Sequence, residues 1–291
     1  MATHISSPRD SITIQNERQK ARVTVIKKGK DGDILQEGAV FGLYSAEDII
    51  GENGKVILAK DTLIEQRATD SNGKLTFEVD LPVGFDYTIR EITPPAGFAS
   101  DPNAQTFTFD GSNTDVAVVE MEYAFEDAPT VVEVTKSSLT TGEELEGANL
   151  QVTDEDGNVI DSWTSGTEPH RITGLVVDKT YTLTETLPAS GYVTAESIEF
   201  TISDTGEVQP VEMKDDVTKV KISKTDLTGK KELEGATLTI LDSEGKVVET
   251  WTSATEPHYI EMLPIGKYTL REETAPSGYL VAEDAELEQI N

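Results

Sequence analysis

The chain has 291 residues, with 54 acidic against 24 basic side chains and a net charge of −30. That balance argues against nucleic acid as a partner, because a phosphate backbone would be repelled, and it suits a well-solvated surface. There is no cysteine, so disulfides, thiolate nucleophiles and cysteine-ligated metals are excluded.

Met1–Asp10 has no basic stretch followed by an apolar block, so it is not a signal peptide, and no apolar run has the length of a membrane span. Residues 1–18 read as a linker, or as the closing strand of a preceding domain. Ile12, Ile14 and Asn16 follow an apolar–x–apolar–x–Asn pattern with no unit in front of them.

Residues 19–129 form a first unit. It opens on VTVIK at 23–27, continues through QEGAVFGLY at 36–44 and LTFEVDL at 75–81, and reaches YTIREITPPAGF at 87–98. An insertion at 45–73 interrupts it, with Ala46–Ile50 as a candidate helical turn. A second unit at 130–217 and a third at 218–291 repeat one another closely. ELEGANLQV at 144–152 returns as ELEGATLTI at 232–240, WTSGTEPH at 163–170 as WTSATEPH at 251–258, and YTLTETLPASGY at 181–192 as YTLREETAPSGY at 268–279. Short apolar–polar alternation, broken by turns such as Asn72-Gly73, Asp156-Gly157-Asn158 and Glu244-Gly245-Lys246, predicts an all-β chain of tandem sandwiches.

Residues two apart on a strand share a face. Val23 and Val25 therefore share theirs with Lys27, Val132 and Val134 with Lys136, and Val220 and Ile222 with Lys224. The YTL strands put Glu91, Glu185 and Glu272 on their apolar faces. On the last strands, Tyr123 and Phe125 align with Asp127, and Val211 and Met213 with Asp215. Lysine is almost never fully buried without a partner. Burial favours a neutral amine, which is a nucleophile, and a protonated carboxyl, which polarises and shuttles protons. Enclosed together, such groups can condense into a side-chain amide with loss of water. That is one self-modification, not enzymatic turnover.

The opening KTDLTGKKELEGATLTI at 224–240, the box YTLREETAPSGY at 268–279 and the strand VEMKDD at 211–216 resemble the B-type repeat domains of collagen adhesins and the SpaA-like pilin domains of Gram-positive surface proteins. The resemblance implies immunoglobulin-like, transthyretin-related sandwiches. It also implies isopeptide bonds between Lys27 and Asp127 and between Lys136 and Asp215, promoted by Glu91 and Glu185. Glu272 would do the same for Lys224. Alternation favours Lys27 over the adjacent Lys28, and Asp216 is the rival to Asp215. The same Lys-to-Asp span from Lys224 runs past Asn291. The third unit is therefore expected to lack its closing strand and to leave Lys224 as a reactive lysine without an Asp or Asn partner. Asn16 is then an orphan partner residue.

The expected role is a spacer in a stalk, outside the cell and attached to the wall through regions beyond this segment, with other pilus subunits as partners. An adhesin binding host extracellular matrix is the alternative, with the 45–73 insertion as its surface. A monomer is expected, unless the 12–16 strand of one molecule completes the third unit of another, head to tail. Catalysis on an external substrate would need His170 or His258, which sit in equivalent TEPH turns. No cofactor and no metal are expected: DEDGN at 154–158 lacks the spacing and final Glu of a calcium loop and reads as a hairpin turn.

Overall fold

A computed structural model describes residues 14–30 and 37–289. The chain divides into two compact units, one up to Pro129 and one from Thr130. The first contains strands β1 (Lys20–Gly29), β2 (Val40–Ser45), β3 (Ile49–Ile50), β4 (Val56–Leu58), β5 (Leu63–Ala68), β6 (Lys74–Phe77), β7 (Phe85–Thr93), β8 (Phe98–Ala99), β9 (Gln105–Phe109) and β10 (Val118–Pro129). One sheet has the order β6-β1-β10-β8, and the other β5-β2-β7-β9. Val23, Val25, Phe77 and Phe125 of the one pack on Phe41, Leu43, Tyr87 and Phe109 of the other. Alternation therefore delivers one apolar face per strand, and two such faces close a sandwich.

Ala46–Ile50 is not a helical turn. Ile49 and Ile50 form β3, which pairs antiparallel with β4 in a small hairpin of its own. Ile14 and Asn16 are exposed and lie outside every strand, and Ile12 falls outside the described residues.

The second unit contains β11 (Val131–Ser138), β12 (Asn149–Thr153), β13 (Val159–Thr164), β14 (His170–Thr173), β15 (Thr180–Leu187), β16 (Ile198–Thr201) and β17 (Val208–Asp215). It continues with β18 (Lys219–Ile222), β19 (Thr237–Leu241), β20 (Val247–Thr252), β21 (His258–Glu261), β22 (Gly266–Thr274) and β23 (Ala285–Gln289). Sheets β14-β11-β17 and β13-β12-β15-β16 enclose one core, and β18-β21 and β20-β19-β22-β23 enclose another.

The two sandwiches of this unit are tied at Thr218. Its main-chain N–H donates to Gly191 O at 2.9 Å, its hydroxyl donates to Leu263 O at 2.7 Å, and its carbonyl accepts from Met262 N at 2.9 Å. Gly191 has φ 86, a left-handed conformation, and a Cβ there would meet Met262 O at 2.7 Å. Gly191→Ala is expected to destabilise this unit by about 1–3 kcal/mol, read as a lower denaturant midpoint.

The turns use one device. The Asp70, Asp154 and Asp242 carboxylates each accept main-chain N–H bonds from residues two and four further on, at 2.8–3.0 Å. The acidic 154–158 segment is thus a turn in which Asp154 is held by its own loop.

Candidate functional site

In both complete sandwiches the opening strand runs parallel to the closing one. Lys27 stands opposite Phe125 and Gly29 opposite Asp127; Lys136 stands opposite Met213 and Ser138 opposite Asp215. The register is the same in each, so the Asp lies two residues beyond the Lys on the shared apolar face.

Lys27 Nζ donates to Glu91 Oε2 at 2.8 Å and to Asp127 Oδ1, and all three side chains are fully buried. Above the amine lies the Phe41 ring, its centroid 5.4 Å away, and Phe41 in turn packs on Phe125. Lys136 Nζ sits 2.8 Å from Glu185 Oε1 and donates to Asp215 Oδ1 in an equally closed setting. Lys28 is half-buried and Asp216 exposed, and Asp216 accepts from Val217 N at 2.8 Å.

Burial drives the acids toward their protonated forms. It pushes Glu91 up to about 8 against the pull of Lys27, and it raises Asp127 as well. Asp215 rises to about 6, mainly through burial, with Lys136 opposing and the neighbouring Glu185 charge adding. Among the described residues Asp127 Oδ2 and Asp215 Oδ2 are buried without a hydrogen-bond partner.

The third cluster differs. Lys224 Nζ lies 3.1 Å from Glu272 Oε1, but the Lys224 side chain keeps 15% of its exposure. β18 pairs with β21 on one edge, and among the described residues no strand lies on the other.

Two features of these sites were missed by the reading of side-chain patterns. Each Glu is held by a main-chain N–H ten residues on: Asp101 N to Glu91 Oε2 at 2.8 Å, Ala195 N to Glu185 Oε2 at 2.7 Å, and Ala282 N to Glu272 Oε2 at 2.6 Å. The lysine backbone is also clamped. Glu144 accepts from Lys136 N at 3.1 Å and Glu232 from Lys224 N at 2.9 Å, while Leu145 N and Leu233 N donate to the Lys136 and Lys224 carbonyls at 2.7 Å. The constant offset of the ELEG box from each lysine was the available signal.

His170 and His258 are engaged elsewhere. His170 stacks on Trp163 with 4.1 Å between centroids and bonds Asp161 at 2.9 Å; His258 stacks on Trp251 at 4.4 Å and bonds Glu249 at 2.8 Å. Each contact joins edge strands of the two facing sheets.

The SpaA prealbumin-like fold domain matches residues 21–123, 130–217 and 218–288. The chain belongs to the SpaA family of prealbumin-like domains. Among solved structures, the Bacillus anthracis TIE protein is 24% identical over 94% of this chain and 49% of its own, with a TM-score of 0.48. A streptococcal ancillary pilin is 26% identical over 70% of this chain and 64% of its own, with a TM-score of 0.33. The shaft pilin SpaA of Lactobacillus rhamnosus GG is 16% identical over 69% of this chain and 98% of its own, with a TM-score of 0.29. The chain spans about half the length of the TIE protein. No curated protein matches it.

Within these SpaA domains the preference of buried Glu91 for its proton favours the folded state fully at low pH, where the folded and unfolded chains both hold that proton. An unbonded first unit therefore loses that contribution as pH rises from the ordinary carboxylate range toward about 8. Any reaction needing Glu91 as proton donor should likewise fail above about pH 8. Chain held in denaturant from synthesis and refolded across this pH range, then weighed intact, checks this.

Proposed function

We propose that this chain is a structural stalk segment of a bacterial surface or pilus protein. Its first two sandwiches lock themselves with amide bonds, Lys27 to Asp127 and Lys136 to Asp215. One observation carries the reading: in both sandwiches a buried lysine touches a buried Asp and a buried Glu, in the same parallel register. An ion pair this deeply buried is a poor stabiliser in itself, since desolvation offsets its attraction.

The chemistry needs no further component. Nζ attacks Asp Cγ, an N–C bond forms and a C–O bond breaks. Glu91 or Glu185 takes the amine proton and returns it to the departing hydroxyl, which leaves as water. Burial, which favours the protonated forms of Asp127, Asp215 and Glu91, makes the Asp carbon electrophilic. Family membership and pilin relatives support the surface role. Among the described residues no helix is long and apolar enough to cross a membrane.

The test is the intact mass under denaturing conditions. It should fall short of the sequence mass by two waters, and the full mass in folded protein would overturn the reading. An adhesive role rests on the β3–β4 hairpin, where Ile50, Val56 and Ile57 are exposed. Binding to host matrix that disappears when this hairpin is deleted would establish it.

A further inference from the structure

We infer that Glu144 is a positioning residue for amide closure in the second sandwich: its carboxylate holds the Lys136 main chain at a point where the edge strand has already turned away. The inference rests on the amide chemistry proposed above and adds to it a side chain that touches none of the reacting atoms.

The need arises from where the edge strands stop. In the first sandwich β6 pairs with β1 as far as Ile26, and the next main-chain N–H, that of Lys27, still donates to Gly73 O at 2.8 Å. In the second sandwich β14 pairs with β11 only as far as Val134, and the chain leading into β14 bends away at Thr167 and Glu168. The third repeats this: β21 pairs with β18 as far as Ile222, behind bends at Thr255 and Glu256. Lys136 and Lys224 each lie two residues past the last pair, beyond the reach of the edge strand. Lys136 is buried there, and a buried main-chain group needs a partner.

The ELEG box supplies it. Glu144 and Glu232 each lie eight residues after their lysine, and their Oε2 atoms accept from Lys136 N at 3.1 Å and Lys224 N at 2.9 Å. Leu145 N and Leu233 N donate to the two lysine carbonyls at 2.7 Å. One carboxylate and one main-chain N–H thus replace a strand residue, and Ser137 and Thr225 bridge to the same two Glu residues. The same pair of bonds in two sandwiches marks the arrangement as a property of the box. Its effect is on reach. The Lys136 main chain is the root of the arm that brings Nζ onto Asp215 and 2.8 Å from Glu185 Oε1. A shift of about 1 Å in a reacting group can cost about 100-fold in rate. In the first sandwich Gly73 O does this work, so the Lys27–Asp127 bond is an internal control.

Chain held in denaturant from synthesis is refolded, and each bond is timed by intact mass, with peptide mapping to assign the water lost. Tryptophan fluorescence reports refolding of the second and third sandwiches, because the two tryptophans are Trp163 and Trp251. Once refolded, Glu144→Ala should form the Lys136–Asp215 bond about 10–100-fold more slowly, with the Lys27–Asp127 bond unchanged. Glu144→Gln keeps an acceptor oxygen at the same reach and should close at close to the unaltered rate. Glu144→Asp is one methylene short and should be as slow as Glu144→Ala; it carries the test where Glu144→Ala does not refold. A refolded Ala or Asp variant that closes at the unaltered rate overturns the inference, and so does a Gln variant as slow as the Ala one. If neither the Ala nor the Asp variant refolds, Glu144 serves the fold and not the geometry, and the inference falls. The unaltered chain keeps the two ideas apart. If it closes the second sandwich while the variants show no difference, the positioning role fails alone; if it never loses that water, the proposed closure fails and the role with it.

Discussion

Lys136→Ala is expected to return one water to the intact mass and to strip the second sandwich of most of its stability. Two terms add. Loss of a cross-link spanning 79 positions costs about 4–5 kcal/mol by the chain-entropy estimate made for disulfides. The freed Asp215 carboxyl and Glu185 are then buried without the nitrogen that faced them, and leaving a buried polar group unsatisfied costs about 1–3 kcal/mol more. Domains of this size hold only about 5–15 kcal/mol in all. The second term depends on pH. Asp215 already takes a proton at about 6, and without Lys136 the folded state binds protons more tightly than the unfolded chain does. The variant should recover part of its stability as pH falls. Lys136→Met keeps the methylene packing without the amine. It should fall short of its own sequence mass by the same single water but show smaller destabilisation, which separates chemistry from a lost core contact. Calorimetry of both variants, with the intact first sandwich as internal reference, reads the difference. A Lys136→Ala protein that falls short of its own sequence mass by as many waters as the unaltered chain would mean that Lys136 forms no bond.

The second large effect belongs to Glu91. Glu91→Gln preserves size and keeps an oxygen to accept from Asp101 N, yet it cannot carry a proton from amine to leaving group. General acid–base groups are worth about 10²–10⁴ in rate. Refolded Glu91→Gln protein should therefore hold one water more than the unaltered chain for hours to days, with Lys136 and Asp215 bonded as before. Equal masses for variant and unaltered chain at the first measurable time would remove Glu91 from the chemistry and leave it as a partner for Lys27 charge alone.

Which side chains turn inward was legible because a strand has period two: Val23 and Val25 fix the side on which Lys27 lies. That Lys27 and Asp127 pair came from the family resemblance and not from the strand pattern, because parallel pairing between strands about a hundred residues apart leaves no local mark. The Asp101, Ala195 and Ala282 anchors were hidden for another reason. A main-chain N–H is present at every residue except proline, so its use has no identity in the sequence. The Ala46–Ile50 reading failed because a two-residue strand is too short to display any period. Three repeats likewise do not announce two compact units; that depends on Thr218 reaching both Gly191 and Leu263.

The parallel pairing of first and last strands has a consequence for a filament under load. Tension enters a sandwich at the start of its opening strand and leaves at the end of its closing one. Lys27 and Asp127 lie near the exits of those strands, so a bond between them would carry the force past everything in between. The 100 positions from Lys27 to Asp127 would store about 340 Å of contour length that pulling could never release. A stretched molecule would then show no unfolding step from this sandwich at any force below covalent rupture. The length of this sandwich under flow or shear would be its folded length.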